Sequence, residues 1–281
     1  MILFKRSIDI RNWLEGLKTR GGTTGFVPTM GALHDGHIQL IKASKAVSSI
    51  TICSIFVNPA QFNDPRDFEK YPKSTEKDIQ LLERAGTDIV FLPAPEEIYP
   101  NGNKNLEKYD LGSLETILEG RYRPGHFQGV CQVMKRLLDI VQPDHLFMGQ
   151  KDYQQCLVVQ RLIGLMHIPV TFHAIATIRE PDGLAQSSRN RRLNPDQRKH
   201  AIAISQSLNY IREHLLYDDA DAVLRIAREK LDAAHFKTDY ISIAKAEDLQ
   251  PIQSWNGKEK AVALIAAFQG DVRLIDNMLL N

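Results

Sequence analysis

The fold is decided by the stretch Thr24-Gly25-Phe26-Val27-Pro28-Thr29-Met30-Gly31-Ala32-Leu33-His34-Asp35-Gly36-His37. A short apolar run ends at Val27, a turn follows, and an apolar-periodic segment from Ile38 to Val47 comes after the second histidine. This pattern predicts a buried strand that passes through a tight turn into a helix. The carboxyl edge of a parallel sheet and the N-terminus of the following helix are where such folds bind ligands.

The same alternation of apolar runs with helical periods continues through the first two thirds of the chain. After the first strand at 24–27, further strands are predicted at residues 50–57, 89–92, 145–148 and 170–176. A helix beginning near Gly129 carries an apolar stripe at spacings of three and four, formed by Val130, Val133, Met134, Leu137, Leu138 and Val141. Alternating strands and helices predict an α/β fold built on a Rossmann-like parallel sheet.

The pattern changes after Asn190. Two helices are predicted at 195–217 and 220–234, and strand-like runs follow at 240–244, 261–268 and 272–280. A short turn separates the last two runs, which predicts a small antiparallel sheet. We therefore expect a Rossmann-like domain over 1–180 and a smaller C-terminal α+β domain over 181–281 that closes a site at the junction.

Composition narrows the classes of function. The 281-residue chain is 43% hydrophobic, and its 35 lysines and arginines nearly balance 34 aspartates and glutamates. This balance gives no support for a nucleic-acid or membrane partner. The three cysteines, Cys53, Cys131 and Cys156, lie in apolar segments without a Cys-x-x-Cys pair, which favours a reducing, cytoplasmic compartment. Charges interrupt positions 1–20, so no signal peptide is expected, and no apolar run reaches the roughly 20 residues of a membrane span.

Two histidines, His34 and His37, lie at the predicted strand-to-helix turn. Unpaired N–H groups and the helix dipole favour an anion there, and histidine rings can donate hydrogen bonds to phosphate oxygens. One alternative is structural, with one ring capping the helix while the other packs. A zinc pair is another alternative, although no third ligand stands at a suggestive spacing.

Two further motifs place polar side chains beside predicted strand or helix ends. Asn58 and Gln61 follow the second strand, and their amides can bind a hydroxy acid without another buried charge; a proline-containing turn is the structural alternative. Residues 119–127 contain two glycines and a proline, so we expect a loop, made cationic by Arg121, Arg123 and His126. It could close over a polyanion or be a solvated basic loop.

A fourth motif follows the strand at 145–148. Gly149 permits close approach of a ligand, Lys151 can neutralise phosphate charge, and Asp152 can accept ribose hydroxyls or orient a cation. Gln155 lies one helical turn beyond Lys151 and is expected to face the same cleft. Capping of the next helix by Asp152, beside an exposed lysine, is the structural alternative.

The fifth motif lies at the expected domain junction. Ser187 and Ser188 offer hydroxyls for a phosphate, and Arg189 can bind one through two parallel hydrogen bonds. As an isolated string these residues could form a helix-capping linker. Their position favours the binding interpretation because ligand clefts are frequent at domain junctions.

Taken together and in this order, the five motifs resemble pantothenate synthetases, members of the α/β nucleotidyl-transferring group with a His-x-Gly-His signature. The resemblance extends from about Val27 to Leu193. It implies an enzyme that condenses pantoate with β-alanine at the expense of ATP, through a pantoyl adenylate, and releases pyrophosphate and AMP. It also implies a homodimer, and Mg²⁺ is inferred from the ATP chemistry, with no protein ligand that can be named.

The resemblance also assigns roles to residues. ATP would be bound by Met30, Gly31, Ala32, Leu33, His34, Asp35, Gly36 and His37, by Gly149, Gln150, Lys151 and Asp152, and by Ile178, Gln186, Ser187, Ser188 and Arg189. The catalytic candidates are His34, His37, Lys151 and Arg189, with His37 as proton donor. Gln61 and Gln155 would bind pantoate, and Gln61 would also adjoin β-alanine. Further pocket candidates are Asn58, Arg123 and His126.

Two positions depart from the family pattern. Gln186 stands where leucine or methionine is common, and Gln132 where threonine is common. We expect Gln186 to affect the adenine pocket only modestly, because the residues that follow it are intact. Three other functions stay open: a nucleotidyltransferase that stops at adenylation, an enzyme like class I aminoacyl-tRNA synthetases, and a nucleotide sensor without catalysis.

Overall fold

A computed structural model describes residues 1–63, 65–102 and 106–280, without the side chains of 65 and 66. Its first sheet contains six strands: β1 (Ile2–Phe4), β2 (Thr24–Thr29), β3 (Ile50–Ile55), β4 (Ile89–Phe91), β5 (His145–Gly149) and β6 (Thr171–Ile175). All are parallel, in the order β1-β4-β3-β2-β5-β6. The predicted α/β class is therefore confirmed.

Helices cover both faces of this sheet. They are α1 (Ser7–Lys18), α2 (Asp35–Val47), α3 (Pro65–Glu69), α4 (Thr75–Arg84), α5 (Pro95–Ile98), α6 (Leu118–Tyr122), α7 (His126–Val141) and α8 (Tyr153–Met166). Successive strand side chains point to opposite faces, so Phe26 packs with α1, α7 and α8 while its neighbour Val27 packs with α2 and α4. Both faces of the central strands are apolar because both are buried.

The C-terminal part contains three helices and a second sheet. Its elements are α9 (Pro195–His200), α10 (Ala203–His214), α11 (Ala220–Ala233), β7 (Phe236–Lys245), β8 (Ala261–Gln269) and β9 (Val272–Leu279). The three strands are antiparallel, and one face of their sheet packs against α10 and α11. Val262 and Leu264 on the opposite face pack with Tyr153 and Leu157 of α8. The smaller α+β unit is thus attached directly to the helix that follows β5.

The order of the strands opens a cleft between β2 and β5. These neighbours lie where the chain reverses its direction across the sheet, which is the usual ligand site of open α/β folds. They pair only at Gly25 with His145 and Phe26 with Leu146, and Pro28 has no N–H with which to extend that ladder. The carboxyl ends of β2 and β5 therefore diverge above the sheet.

Several local predictions were wrong. Residues 119–127 are not one loop, because they contribute to α6 and to α7, which begins at His126 and not near Gly129. The residues at 195–217 form two helices, α9 and α10. Strand β1 was missed, since three residues at a sheet edge give too little periodicity to recognise.

The glycines explain the first of these errors. A Cβ at Gly120 would lie 2.3 Å from the Glu115 carbonyl oxygen, and one at Gly129 would lie 2.1 Å from that of Ala60. Both glycines therefore permit close packing of helices, and the tertiary contact overrides their low helix propensity. Of the three glycines in this region, only Gly125, with a φ of 79°, adopts the left-handed conformation of a chain break between helices.

The division proposed at residue 180 lies between the two sheets and remains a proposal. Four 3₁₀ helices complete the described elements: Pro59–Gln61, Gly112–Glu115, Gln150–Asp152 and Ser188–Arg192. Within the described ranges, no helix combines the length and the apolar character needed to cross a bilayer.

Gly129→Ala should destabilise the fold, because α7 would have to move away from the backbone at Ala60. We expect a loss of at least about 2 kcal/mol in the free energy of unfolding. The matched control is Gly164→Ala in α8, where no atom lies within 4 Å of the new Cβ; it should stabilise by about 0.5–1 kcal/mol. Urea unfolding of both variants checks this, and equal effects would contradict the packing argument.

Candidate active site

The turn between β2 and α2 is held by a buried carboxylate. Asp78, on α4 and 1% exposed, accepts hydrogen bonds from the N–H groups of Ala32 and Leu33, both at 2.9 Å. Ser74 donates its hydroxyl to the same carboxylate at 3.1 Å. Ala32 has a φ of 50°, a left-handed conformation that is unfavourable for alanine. The carboxylate therefore stabilises a strained turn and fixes where α2 begins.

The two histidines of the turn cap α2 with their rings. The Gly36 N–H donates to Nδ1 of His34 at 3.2 Å, and the His34 N–H donates to Nδ1 of His37 at 3.3 Å. A neutral ring that accepts at Nδ1 carries its proton on Nε2. Both rings cap the helix, whereas the structural alternative expected one to cap and the other to pack. Capping is compatible with phosphate binding because each ring keeps an Nε2–H donor.

Both rings are neutral at physiological pH. Burial, followed by the charges of Lys151 and Arg191, lowers the pKa of His34 to about 4. Burial, the neighbouring His34, and then Lys151 and Arg191 lower the pKa of His37 to about 3. Arg191 is held nearby because its guanidinium donates to the Leu33 carbonyl at 3.0 Å. The histidines therefore act in the free protein as neutral hydrogen-bond donors.

The turn after β5 faces the histidines across the cleft and is held by the C-terminal sheet. Asn277 of β9 is 3% exposed, and its Nδ2 donates to the carbonyls of Gln150 at 3.0 Å and Lys151 at 2.7 Å. Asp152 begins α8 without capping it through its side chain. Because the Asn277 side chain holds the backbone of this turn, the side chains of Lys151 and Asp152 remain available to the cleft.

A network of amides forms the floor of the cleft. Asn58 donates from Nδ2 to Gln61 Oε1 at 3.1 Å and to the Gly129 carbonyl at 3.0 Å. Its Oδ1 accepts the hydroxyl of Tyr99 at 2.7 Å. The Gln61 Nε2 then lies 2.9 Å from the sulfur of Met30. Gln61 therefore presents N–H donors to the cleft, which suits a carboxylate or hydroxyl oxygen.

Arg123, which is half-buried, and His126, which is buried, link helices to the amide floor. Arginine can only donate, so the 3.0 Å contact from Arg123 Nη1 makes His126 Nε2 an acceptor. The His126 Nδ1–H therefore donates to the Gln61 carbonyl at 2.7 Å. Burial and then Arg123 lower the pKa of His126 to about 3. Its ring is a neutral connector in α7 and not part of a solvated loop.

The junction motif meets both the first turn and α3. The Gln186 Oε1 accepts the Gly36 N–H at 2.9 Å, and its Nε2 donates to Asp35 at 3.3 Å. Arg189 donates to Asp67 at 2.8 Å, and Arg192 donates to the other oxygen of that carboxylate at 2.9 Å. Gln186 therefore caps α2 together with His34.

Most of the predicted residues meet at one cavity of about 210 Å³. Its lining includes Met30, His34, Gly36, His37, Asn58, Gln61, Arg123, His126, Gly149, Lys151, Asp152, Gln155, Ile178, Gln186, Ser187, Ser188 and Arg189. A second cavity of about 510 Å³ continues towards β7 and β9 and shares Lys151, Asp152 and Arg189 with it. The two together form one cleft between the sheets, with cationic groups at its centre.

Some predicted residues stand outside the lining of the smaller cavity: Gly31, Ala32, Leu33, Asp35 and Gln150. Ala32 and Leu33 are buried beneath the turn, where they support it. Gln132 donates to the Glu107 carbonyl at 3.3 Å and also lies away from the cleft. Among the residues that the structure describes, no group of three His, Cys, Asp or Glu side chains could hold a metal ion.

The family described as pantoate-beta-alanine ligase matches residues 2–279. The chain belongs to this family. A pantothenate synthetase from Porphyromonas gingivalis is 42% identical over 279 residues, which cover 99% of each chain. One from Leptospira biflexa is 41% identical over 283 residues, covering 100% of this chain and 99% of its own.

Solved structures agree with this assignment. Pantothenate synthetase from Thermus thermophilus is 39% identical, with a TM-score of 0.92 over 100% of this chain and 99% of the other. The pantoate-beta-alanine ligase from Francisella tularensis, complexed with "Beta-gamma ATP and Beta-alanine", is 36% identical, with a TM-score of 0.84 over 100% and 98%. The expected family, its ligase activity and the two-sheet fold are confirmed.

Sequence reasoning missed several residues that organise this ligase cleft. Asp78, Tyr99 and Asn277 each hold a proposed binding segment from a distant part of the chain. Arg191 and Asp67 act on the histidines and on Arg189. None belongs to a local motif, since each becomes informative only when its partner's position is known.

Asp78→Asn should loosen the side of the cleft that carries the ATP-binding residues expected from the sequence. The two N–H groups bind different oxygens of the carboxylate, and asparagine replaces one of these oxygens with an NH₂ group, so a buried donor loses its partner. We expect a loss of about 2–3 kcal/mol in the free energy of unfolding and a raised KM for ATP. Thermal unfolding and steady-state kinetics check this. Asp139→Asn, which removes only an exposed ion pair with Lys135, should change the free energy of unfolding by less than about 0.5 kcal/mol. Equal losses of stability in the two variants would contradict the role of Asp78.

His126 should make stability fall in acid. Its folded-state pKa of about 3 lies below the ordinary histidine value of about 6.5, so the unfolded chain binds the extra proton first. Its contribution is therefore lost progressively as pH falls from about 6.5, by about 1.4 kcal/mol per pH unit.

Urea unfolding between pH 6 and 4.5 checks this. The free energy of unfolding of His126→Asn should fall correspondingly less steeply with decreasing pH than that of the unsubstituted parent protein. The matched control, His167→Asn, changes an exposed residue with a φ of 52° that asparagine tolerates and should retain the parent slope. An unchanged slope in His126→Asn would show that the buried ring is not neutral.

Proposed function

We propose that the cleft condenses pantoate with β-alanine in two steps, through a pantoyl adenylate. In the first, a carboxylate oxygen of pantoate attacks the α-phosphorus of ATP, and the bond to pyrophosphate breaks. In the second, the free amine of β-alanine attacks the acyl carbon, a C–N bond forms, AMP leaves with the former carboxylate oxygen, and the amine loses a proton. Neither step needs a protein nucleophile.

The observation that carries this proposal is the convergence of neutral and cationic donors on one cleft. His34 and His37 offer Nε2–H groups, while Lys151 and Arg189 bring positive charge to the same lining. Carboxylates are already ionised at neutral pH, so adenylation is limited by repulsion between anions rather than by proton removal. Donors fixed before the substrates arrive stabilise the charge that develops on the phosphates.

Arg189 is the most constrained of these groups. It shares the Asp67 carboxylate with Arg192, which also lies 3.7 Å from Asp271, a carboxylate that Lys70 binds as well. Three cationic side chains thus face two carboxylates, and a net positive charge remains beside the larger cavity. We propose that ATP phosphates draw on this excess charge. Ser187 and Ser188, in the same lining, supply hydroxyls to the nucleotide, and Ile178 contributes an apolar contact.

The amide floor is proposed as the pantoate site. Gln61 presents N–H donors beside Met30, and Gln155 lines the same cavity. These donors are neutral, so they can orient the substrate carboxylate without neutralising it, and its nucleophilicity is retained. β-Alanine would adjoin Gln61, where its amine can approach the acyl carbon.

Mg²⁺ is proposed to enter with ATP. The carboxylate that we propose for it is Asp152, which lines both cavities and whose side chain is 48% exposed. This fits an ion that keeps most of its water and binds one or two carboxylates together with substrate phosphates. When bound, Mg²⁺ would neutralise phosphate charge.

A reducing, cytoplasmic location is proposed from three buried free cysteines, and a homodimer from the family resemblance.

The intermediate is tested by following one oxygen atom. With pantoate labelled with ¹⁸O in its carboxylate, ATP and Mg²⁺, pyrophosphate should form without β-alanine, up to one equivalent per site. Addition of β-alanine should then release AMP that carries one ¹⁸O atom. Unlabelled AMP, or pyrophosphate release that does not depend on pantoate, would contradict the acyl adenylate.

The roles of the histidines are tested by single-turnover measurement of the same reaction. His37→Ala and His34→Ala should each slow pyrophosphate release by about 10²–10³-fold, the usual cost of one transition-state hydrogen-bond donor. His167→Asn, at an exposed position on the chain, should retain the parent rate. If the parent releases pyrophosphate and the alanine variants keep its rate, the histidines are only helix caps.

A further inference from the structure

Asn58 makes all four hydrogen bonds that its amide can make, although it is only 1% exposed. Its Oδ1 accepts the Tyr99 hydroxyl at 2.7 Å and the Ala60 N–H at 3.2 Å. Its Nδ2 donates to Gln61 Oε1 at 3.1 Å and to the Gly129 carbonyl at 3.0 Å. Because every partner has a fixed role, the amide has one favourable orientation.

The orientation of Asn58 determines what Gln61 offers to a ligand. With its Oε1 engaged by Asn58, Gln61 directs its Nε2 towards Met30 and the cavity. The reversed Gln61 amide would oppose two NH₂ groups across the same contact. A ligand beside Gln61 therefore meets N–H donors, and it must bring an acceptor such as a carboxylate or hydroxyl oxygen.

Tyr99 belongs to the hydrogen-bond network of Asn58 and Gln61, but it lies outside the cleft. It is 5% exposed, packs beside Phe56, and has the Arg136 guanidinium 4.9 Å from its ring centre. Its side chain is absent from the lining of both central cavities. Burial raises the pKa of Tyr99 to about 12, so its hydroxyl remains a donor throughout the physiological range.

We propose that Tyr99 is a positioning residue for pantoate recognition, acting through Asn58 on the donor face of Gln61. This inference rests on the proposed binding of pantoate by Gln61. Loss of the hydroxyl would leave an acceptor site on a buried amide oxygen unsatisfied, and Asn58 would gain freedom to rotate. The pantoate side of the cleft would then lose its fixed donors, while the nucleotide side, built on Asp78 and α2, would be unaffected.

The test compares Tyr99→Phe with Tyr109→Phe. Tyr109 is a matched control because it is also buried and its hydroxyl also donates, to a carboxylate oxygen of Glu107. Among the described hydrogen bonds, neither Tyr109 nor Glu107 binds Asn58 or Gln61. Tyr99→Phe should raise the KM for pantoate by about tenfold, the effect of one lost neutral hydrogen bond. Its KM for ATP should change less than about twofold by the same reasoning. Tyr109→Phe should leave both constants at the parent values.

Combining Tyr99→Phe with Gln61→Ala distinguishes a positioning role of Tyr99 from a general loosening of the fold. In a Gln61→Ala background, adding Tyr99→Phe should raise the KM for pantoate no further, because the group that Tyr99 positions is gone. Asn58→Asp keeps the acceptor for Tyr99 but removes the donors to Gln61 and to the Gly129 carbonyl, and as a single substitution it should raise the same KM. Circular dichroism and thermal unfolding accompany each variant.

The outcomes distinguish this inference from the proposed function. Pantoate-dependent pyrophosphate release by the parent chain supports the proposed function, whatever the tyrosine variants do. Equal changes in Tyr99→Phe and Tyr109→Phe, parallel rises in both KM values, additive effects with Gln61→Ala, or failure of Tyr99→Phe alone to fold would each overturn the positioning role. If the parent does not respond to pantoate, the proposed function fails first.

Discussion

The buried carboxylate of Asp78 accepts two consecutive backbone N–H groups where β2 turns into α2. One of those residues, Ala32, is in a left-handed conformation that the local sequence would not favour. Two charge-assisted hydrogen bonds outweigh that strain, since each contributes more than a neutral bond. The start of α2, both histidine caps and the side of the cleft proposed to bind ATP all depend on this contact.

The C-terminal α+β unit contributes to the site because its strand β9 holds segments of the unit built on the parallel sheet. Asn277 supports the turn at Gln150 and Lys151, while Arg273 binds the Glu119 carboxylate through two bonds of 2.7 and 2.8 Å. Desolvation makes such a buried ion pair weak as a source of stability. Its value lies in geometry, because Glu119 also lies 3.8 Å from Arg123, which contacts His126 and thus the Gln61 backbone.

Neutral groups provide much of the chemistry of the cleft. Burial and nearby cations keep His34 and His37 uncharged, yet capping through Nδ1 leaves each with a proton to donate. The amide floor is likewise neutral and fixed in orientation by its own hydrogen bonds. Positive charge in the smaller cavity comes from Lys151, Arg123 and Arg189, so under the proposed roles the attraction for phosphate and the orientation of pantoate belong to different groups.

The sequence by itself determined the α/β class, most strands and the motifs of the cleft, because periodicity, turn residues and motif order are local properties. Binding roles for individual residues remain predictions. Tertiary structure decided that residues 119–127 are mostly helical, that Arg123 and His126 connect helices to the amide floor, and that Asp78, Tyr99 and Asn277 support the site. Those three supporting residues act across 41 to 127 positions of the chain, from Tyr99 with Asn58 to Asn277 with Gln150. Such contacts exist only after the sheet has set the spacing of its strands, and no short-range pattern encodes them.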